Sequence, residues 1–491
     1  MAGDFEVLIT ADEAWPAFER AVLAARKHVV AGFRIFDLST GLRSAEAREI
    51  GKDWFDLLAH ALRRGVRIDL TVSDFDPVMA TSLHALSWRT VRQGVALSEA
   101  TGAGKDLLNI RAHRHSARAG MLPRLAFLPA VLRRRWERLR ETTPVERRFE
   151  AVGLESSVMP NLHTVSHHHK VAVIDDEWLY IGGLDLNERR YDSPDHDRPA
   201  QQTWSDVQVM LRGPEAAAAR RHLESFQAVT EGRAAPPACP GLKRTLSAPR
   251  RLQLPYLSPR TLVSEIEEAH LATFRKARHL IHIETQFIRS SRIAEALAEA
   301  AARNSDLNAI IVMPGLPEDV AFDSSESLDA KYGLALRQQA VATLRESFGP
   351  RLTIATPVRP ILAARETCET LAGSPLIHVH NKVLIRDADS VLIGSANLNG
   401  RSMRWDTELA VEITRPDRVE KARDRLLSHW WHDPLAPEAM SPETLYPLWR
   451  DEIRRNGLRR PENRSGFLVP FDAKEGADLA QELPGVTEDI V

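Results

Sequence analysis

Cysteine is nearly missing from this chain: 491 residues hold two, Cys239 and Cys368, far apart and in no CxxC spacing. That argues against a disulfide framework and a cysteine-ligated zinc site, and fits a reducing compartment. Long apolar runs are missing too, since no window approaches the roughly 18 uninterrupted apolar residues of a membrane span. The opening "MAGDFEVLIT" has an acid at position four and no basic stretch before an apolar core, so it does not read as a secretory signal. Net charge is −2, so the molecule as a whole is no polycation suited to gripping nucleic acid, although a local patch stays open. What is present, 43% apolar and 27% charged residues, suits a soluble globular protein long enough for two or more domains. A cytoplasmic location is expected.

The chain is written twice. "RKHVVAGFRIFD" (Arg26 to Asp37) matches "ARHLIHIETQFI" (Ala277 to Ile288), each an apolar run after a helical pattern. A second helix and another apolar strand follow in both copies. Further on, "HHKVAVID" (His168 to Asp175) pairs with "HNKVLIRD" (His380 to Asp387), both HxKxxxxD. Each is followed by a small pair, in "GGLDLN" and "GSANLN", and by an acid-bearing strand, "WSDVQVML" and "DTELAVEI". Strands alternating with helices imply an α/β fold, with a mixed, largely parallel sheet flanked by helices in each half. His28 to His168 spans 140 positions and His279 to His380 spans 101, so the first half carries an extra segment. The expected organisation is a first repeat over 1–232 with a basic helical insertion at about 85–150, a linker at 233–250, a second repeat over 251–433 and a C-terminal extension over 434–491. The residues from Lys474 on are acidic and expected to be loosely held.

Side chains two apart on a strand share a face, so His168 points with Lys170 and His380 with Lys382. Asp175 and Asp387 lie an odd number of places on, and a salt bridge or turn role suits them better than catalysis. Packed around a pseudo-twofold axis, the two His/Lys pairs would converge on one cleft. Such a cleft suits an anionic phosphodiester: one His attacks phosphorus, the other protonates the departing alcohol, and the lysines neutralise the non-bridging oxygens. An attacking imidazole needs its far nitrogen held by an acceptor, and Asp206 and Glu408 stand at matching places. Asn397 is a candidate donor to the phosphate, with Asp185 at the same place in the first copy. Glu284 and Gln286 either reach the cleft or are satisfied polar groups at a strand end.

The duplicated HxKxxxxD followed by GG or GS resembles the phospholipase D superfamily over most of residues 15–430, and the second copy, "HVHNKVLIRDADSVLIGSANLNGRSM", looks like its lipid-acting members. The resemblance implies a phosphohistidine intermediate with His168 as nucleophile and His380 as general acid, then base. It implies no cofactor and no metal, a phospholipid substrate, and water or an alcohol or lipid acceptor competing for the intermediate. A cardiolipin synthase-type phosphatidyltransferase, a nuclease of the same superfamily and an inactive lipid-binding relative are the alternatives; near-neutral charge and two motifs in one chain argue against nucleic acid. Residues 101–150 hold twelve Lys/Arg against five Asp/Glu. Within them, Met121 to Arg140 suits docking on an anionic membrane surface at the inner face, with Leu132, Trp136 and Leu139 on one side of a helix after Pro129. The other reading, a helix whose Trp136 enters the protein's own core, is slightly preferred. A metal site from His167 and His169 lacks any HxE, HxxxH or carboxylate cluster.

Overall fold

The computed structural model describes residues 3–141, 161–316, 328–433, 435–436, 440–474, 477–483 and 487–490. The first half builds a seven-stranded sheet from β1 (Phe5–Ile9), β2 (His28–Phe33), β3 (Arg67–Asp74), β4 (Leu108–Arg114), β5 (Val171–Ile174), β6 (Trp178–Gly182) and β7 (Val207–Arg212), in the order β1-β7-β6-β5-β2-β3-β4. The second half builds nine strands, β8 (Leu242–Ala248), β9 (Arg260–Ser264), β10 (Leu280–Thr285), β11 (Asn308–Val312), β12 (Leu352–Pro357), β13 (Lys382–Arg386), β14 (Ser390–Gly394), β15 (Glu408–Ile413) and β16 (Leu468–Pro470), in the order β16-β12-β11-β10-β13-β14-β15-β8-β9.

Both sheets are mixed, but parallel pairing is confined to β2-β3-β4 and β10-β11-β12, where helices make the crossovers. The motif strands β5 and β13 run antiparallel to β2 and β10 and turn straight back into β6 and β14. A hairpin needs only a short turn, so the balance is antiparallel rather than largely parallel. Helices cover the faces for reasons visible in their sequences. In α1 (Trp54–Arg63), Asp53 caps the amide of Asp56, and Trp54, Leu57, Leu58, Ala61 and Leu62 form one buried stripe.

Three expectations need correction. Asp175 accepts backbone amides at Arg26, Lys27 and His28, while Asp387 accepts those at Arg278, His279 and Leu280. The strand equivalent to His28 therefore starts at Leu280, one residue past the match to His279; short apolar runs cannot set a register that hydrogen bonds decide. The basic segment at 85–150 is insertion only in part. Helix α2 (Thr81–Thr101) and β4 extend the first sheet just as α3 (Leu328–Phe348) and β12 extend the second, leaving the extra chain beyond Arg114. The stretch read as linker contains β8, which pairs with β15 because "LKRTLSA" buries a full face despite its Pro/Ala-rich approach.

The halves share one core. Val171, Val173, Ile181, Val207 and Val209 pack in the same apolar cluster as Val383, Ile385, Ile393, Leu409 and Val411. Across this contact two chain segments pair by reciprocal bridges, His167 with Thr407 and Ser205 with Val379. The amide of His168 donates to the Thr407 carbonyl at 2.8 Å, and that of His380 to the Ser205 carbonyl at 2.8 Å. Each motif is thus stitched to the acid-bearing strand of the opposite half, which is a pseudo-twofold relation written in hydrogen bonds.

Candidate active site

The stitching decides which acid meets which imidazole. Glu408, from the second half, lies 3.0 Å from His168 Nδ1, and Asp206, from the first, lies 2.7 Å from His380 Nδ1. The pairs are crossed. His168 Nδ1 also sits 3.1 Å from the Ser395 carbonyl, and the Ser395 hydroxyl donates to Glu408. In the first copy Gly183 replaces that serine for lack of room, since a Cβ there would lie 2.2 Å from Asp206 Oδ1. Each ring's Nδ1 is thus engaged by a carboxylate of the opposite half. Lys170 Nζ donates to its own motif's His168 carbonyl at 2.6 Å and lies 3.2 Å from His168 Nε2; Lys382 repeats the contact with the His380 carbonyl.

All six side chains are buried, and burial is the main force on their proton affinities. It drives the His168 and His380 imidazoles well below their ordinary range, with the lysines adding to the effect. It lowers Lys170, brings Lys382 down to about 7, and raises Asp206 to about 6 and Glu408 to about 8 against the pull of the lysines. Charges of opposite sign in a dry site hold each other, and an incoming phosphodiester would redistribute them.

A cavity of about 810 Å³ opens onto His168. Phe75, Met79, Leu83, Phe127, Val131 and Phe287 give it an apolar side; Arg34, Asn397 and Arg401 give it a polar one. Asp185 and Asn397 occupy equivalent places but differ in use. Asp185 accepts the Ile35 amide at 3.0 Å and lies 3.7 Å from the Arg34 guanidinium, whereas Asn397 Oδ1 is buried with no hydrogen-bond partner and its residue lines the cavity. Asp175 and Asp387 stay at the far strand ends, in left-handed turns at φ 54° and 47°. Glu284 does not enter the cleft: it is satisfied by His282, Trp430 and Asn381.

Two contributions escaped the sequence reading. Trp204 lies 4.6 Å from the His380 ring, donates to Asp206 at 3.3 Å and carries the Arg190 guanidinium on its face at 3.6 Å; its place two residues before Asp206 was the available signal. Of the C-terminal stretch expected to be loosely held, several described residues are anchored. Glu488 accepts the Ser291 amide, Asp489 pairs with Arg404 at 3.0 Å, and Leu483 and Ile490 line the cavity. Their acidity, which suggested disorder, is what binds them to Arg404.

The family model described as "Cardiolipin synthase, PLD-like domain" matches residues 270–430, and the same hydrogen-bonded frame recurs around His168 in the half it does not cover. The chain belongs to the phospholipase D superfamily. Superfamily relatives include phospholipase D2 of Bos taurus, 27% identical over 264 residues, which are 45% of this chain and 28% of that protein. Phospholipase D1 of Saccharomyces cerevisiae is 24% identical over 354 residues, covering 53% of this chain and 21% of that protein. The chain thus spans less than a third of the length of these curated relatives. The crystal structure of phosphatidylserine synthase from Haemophilus influenzae Rd KW20 covers 94% of this chain and 96% of its own, with a TM-score of 0.51 and 12% identity. At that identity the likeness is one of fold.

Proposed function

We propose that this phospholipase D superfamily protein cleaves or transfers phospholipid head groups through a phosphohistidine. The crossed pairs carry the reading: two imidazoles, each with Nδ1 held by a carboxylate of the opposite half, one of which, His168, opens onto a cavity with an apolar side. His168, neutral through burial, attacks phosphorus with the Nε2 lone pair while Nδ1–H faces Glu408. The P–O bond to the head group breaks and the leaving oxygen takes the Nε2 proton of His380, which enters this step as an imidazolium with Nδ1–H on Asp206; the anionic phosphodiester offsets the burial that otherwise disfavours that charge. Water or an alcohol then gives its proton back to His380 and attacks phosphorus, breaking the P–N bond and restoring His168. Lys170 and Lys382 neutralise the non-bridging oxygens; Asn397 adds a donor, and Asp185 orients Arg34. Asp175 and Asp387 serve the fold.

The apolar wall favours lipid over nucleic acid. One part of it, Phe127 and Val131, belongs to helix α4 (Met121–Glu141), which begins before Pro129 and not after it. Trp136 on this helix is 62% exposed, against the preferred expectation that it enters the core, and Met121, Leu122, Leu125 and Leu132 are exposed with it. Phe127 and Val131, on either side of Pro129, supply the cavity-facing side, and the tryptophan is left outward; the side chains of Arg138 and Leu139 lie outside the described residues. With Arg133, Arg134 and Arg140, this face supports peripheral docking on an anionic bilayer. Among the described residues no helix is long and apolar enough to cross a membrane.

The test is a phospholipid panel with products read by mass spectrometry in EDTA. Head-group release, abolished by His168→Ala and by His380→Ala, is expected, with a transfer product when a primary alcohol or phosphatidylglycerol is added. Activity lost on chelation, or DNA cleavage without lipid turnover, would overturn the reading.

A further inference from the structure

His167 and His169 flank the nucleophile, and neither takes part in the chemistry above. Both are buried in a stack with His113, His115, His222 and Phe226; the His113 and His167 ring centres lie 5.0 Å apart. Among the described residues no group of three or more His, Cys, Asp or Glu is arranged to hold a metal. The hydrogen bonds instead form a line. His113 Nε2 lies 3.1 Å from Glu231 Oε1, His113 Nδ1 lies 2.8 Å from His167 Nε2, and His167 Nδ1 lies 2.8 Å from the Thr407 hydroxyl.

The carboxylate at one end gives the line a direction. An ionised Glu231 can only accept, so His113 carries its proton on Nε2 and leaves Nδ1 bare. His167 must then donate from Nε2, which leaves its Nδ1 to accept the Thr407 O–H. Thr407 is the residue before Glu408, and its carbonyl also takes the amides of His168 and His169.

The second half repeats the device with different residues. Ser205, the residue before Asp206, donates its hydroxyl to Asn381 Oδ1 at 3.1 Å, and Asn381 Nδ2 donates to Glu284 Oε2 at 2.5 Å. Asn381 flanks His380 on one side as His167 flanks His168 on the other. In both halves, a hydroxyl next to the supporting acid is gripped by a buried polar neighbour of the opposite motif's histidine, and each line ends on a glutamate.

We infer that His167 and Asn381 are positioning residues: each anchors the hydroxyl beside an acid of the opposite half, and so sets Glu408 against His168 and Asp206 against His380. This rests on the catalytic reading for its kinetic consequence but not for its geometry. The lines have no contact with the substrate cavity of their own, and they act by holding the acid strand in place.

The experiment combines turnover with ¹⁵N-histidine NMR on the full-length protein. Thr407→Val removes one hydroxyl hydrogen bond, so kcat on phospholipid vesicles should fall by roughly tenfold with KM little changed, and Thr407→Ser should restore it. The wild-type spectrum should show His167 protonated on Nε2, and Thr407→Val should shift the His168 ring resonances. Wild-type kcat and unshifted His168 resonances in a folded Thr407→Val would overturn the inference, as would His167 protonated on Nδ1. If the wild type turns over no lipid yet His168 still responds, the positioning stands and the catalytic reading falls.

Discussion

Asp206 is asked to do three things with one carboxylate: it accepts from His380, from Trp204 Nε1 and from the Val207 amide. Asp206→Asn keeps the shape but puts a donor where the imidazole proton points, so kcat should fall by about 10²–10⁴ without loss of fold, measured by steady-state kinetics and circular dichroism. A second expectation concerns protons. Burial brings Lys382 down to about 7, and only its charged form holds a phosphate oxygen. Therefore kcat/KM should decline as pH rises through about 7, and a profile flat to pH 9 would count against Lys382 as a phosphate ligand.

Among the elements, the turn after each motif strand shows how an acid can be indispensable without chemistry. Asp175 adopts φ 54° and its carboxylate caps three amides at the start of β2. Burial would raise its pKa, but the amides of His28, Arg26 and Lys27 outweigh that and lower it. Its stabilisation is therefore complete above the unfolded value of about 3.9 and is lost as pH falls through the lower folded one. Asp175→Asn should cost roughly 1–3 kcal/mol at pH 7, and the gap in Tm to wild type should close below about pH 4. Helix α4 makes a different demand. Trp136→Ala should weaken binding to vesicles containing anionic lipid by about 10- to 100-fold, as sedimentation would show, since burying such a side chain is worth about 1.5–3 kcal/mol.

For the whole molecule, the apolar cluster that joins both sheets predicts cooperative unfolding. Ile393→Ala, a fully buried member, should cost about 2–5 kcal/mol and move a single calorimetric transition; a second transition left in place would mean that the halves unfold separately.

The duplicated motif, the two His/Lys pairs and the two acids were legible in the residue order, because period-two strands and a repeated spacing are local properties. So was the α/β class. The pairing of Asp206 with His380 and Glu408 with His168 was not, since nothing local says which half an acid faces once two sheets pack. The one-residue slip from His279 to Leu280 as the counterpart of His28 has the same origin: apolar runs tolerate it, while three amides aimed at one carboxylate do not. Matching "SHHHKVAVID" to its second copy, "HVHNKVLIRD", marked the middle histidine as one of a pair. Tertiary packing alone put its two neighbours in a buried stack, and turned one of them into an anchor for the acid that crosses over from the other half.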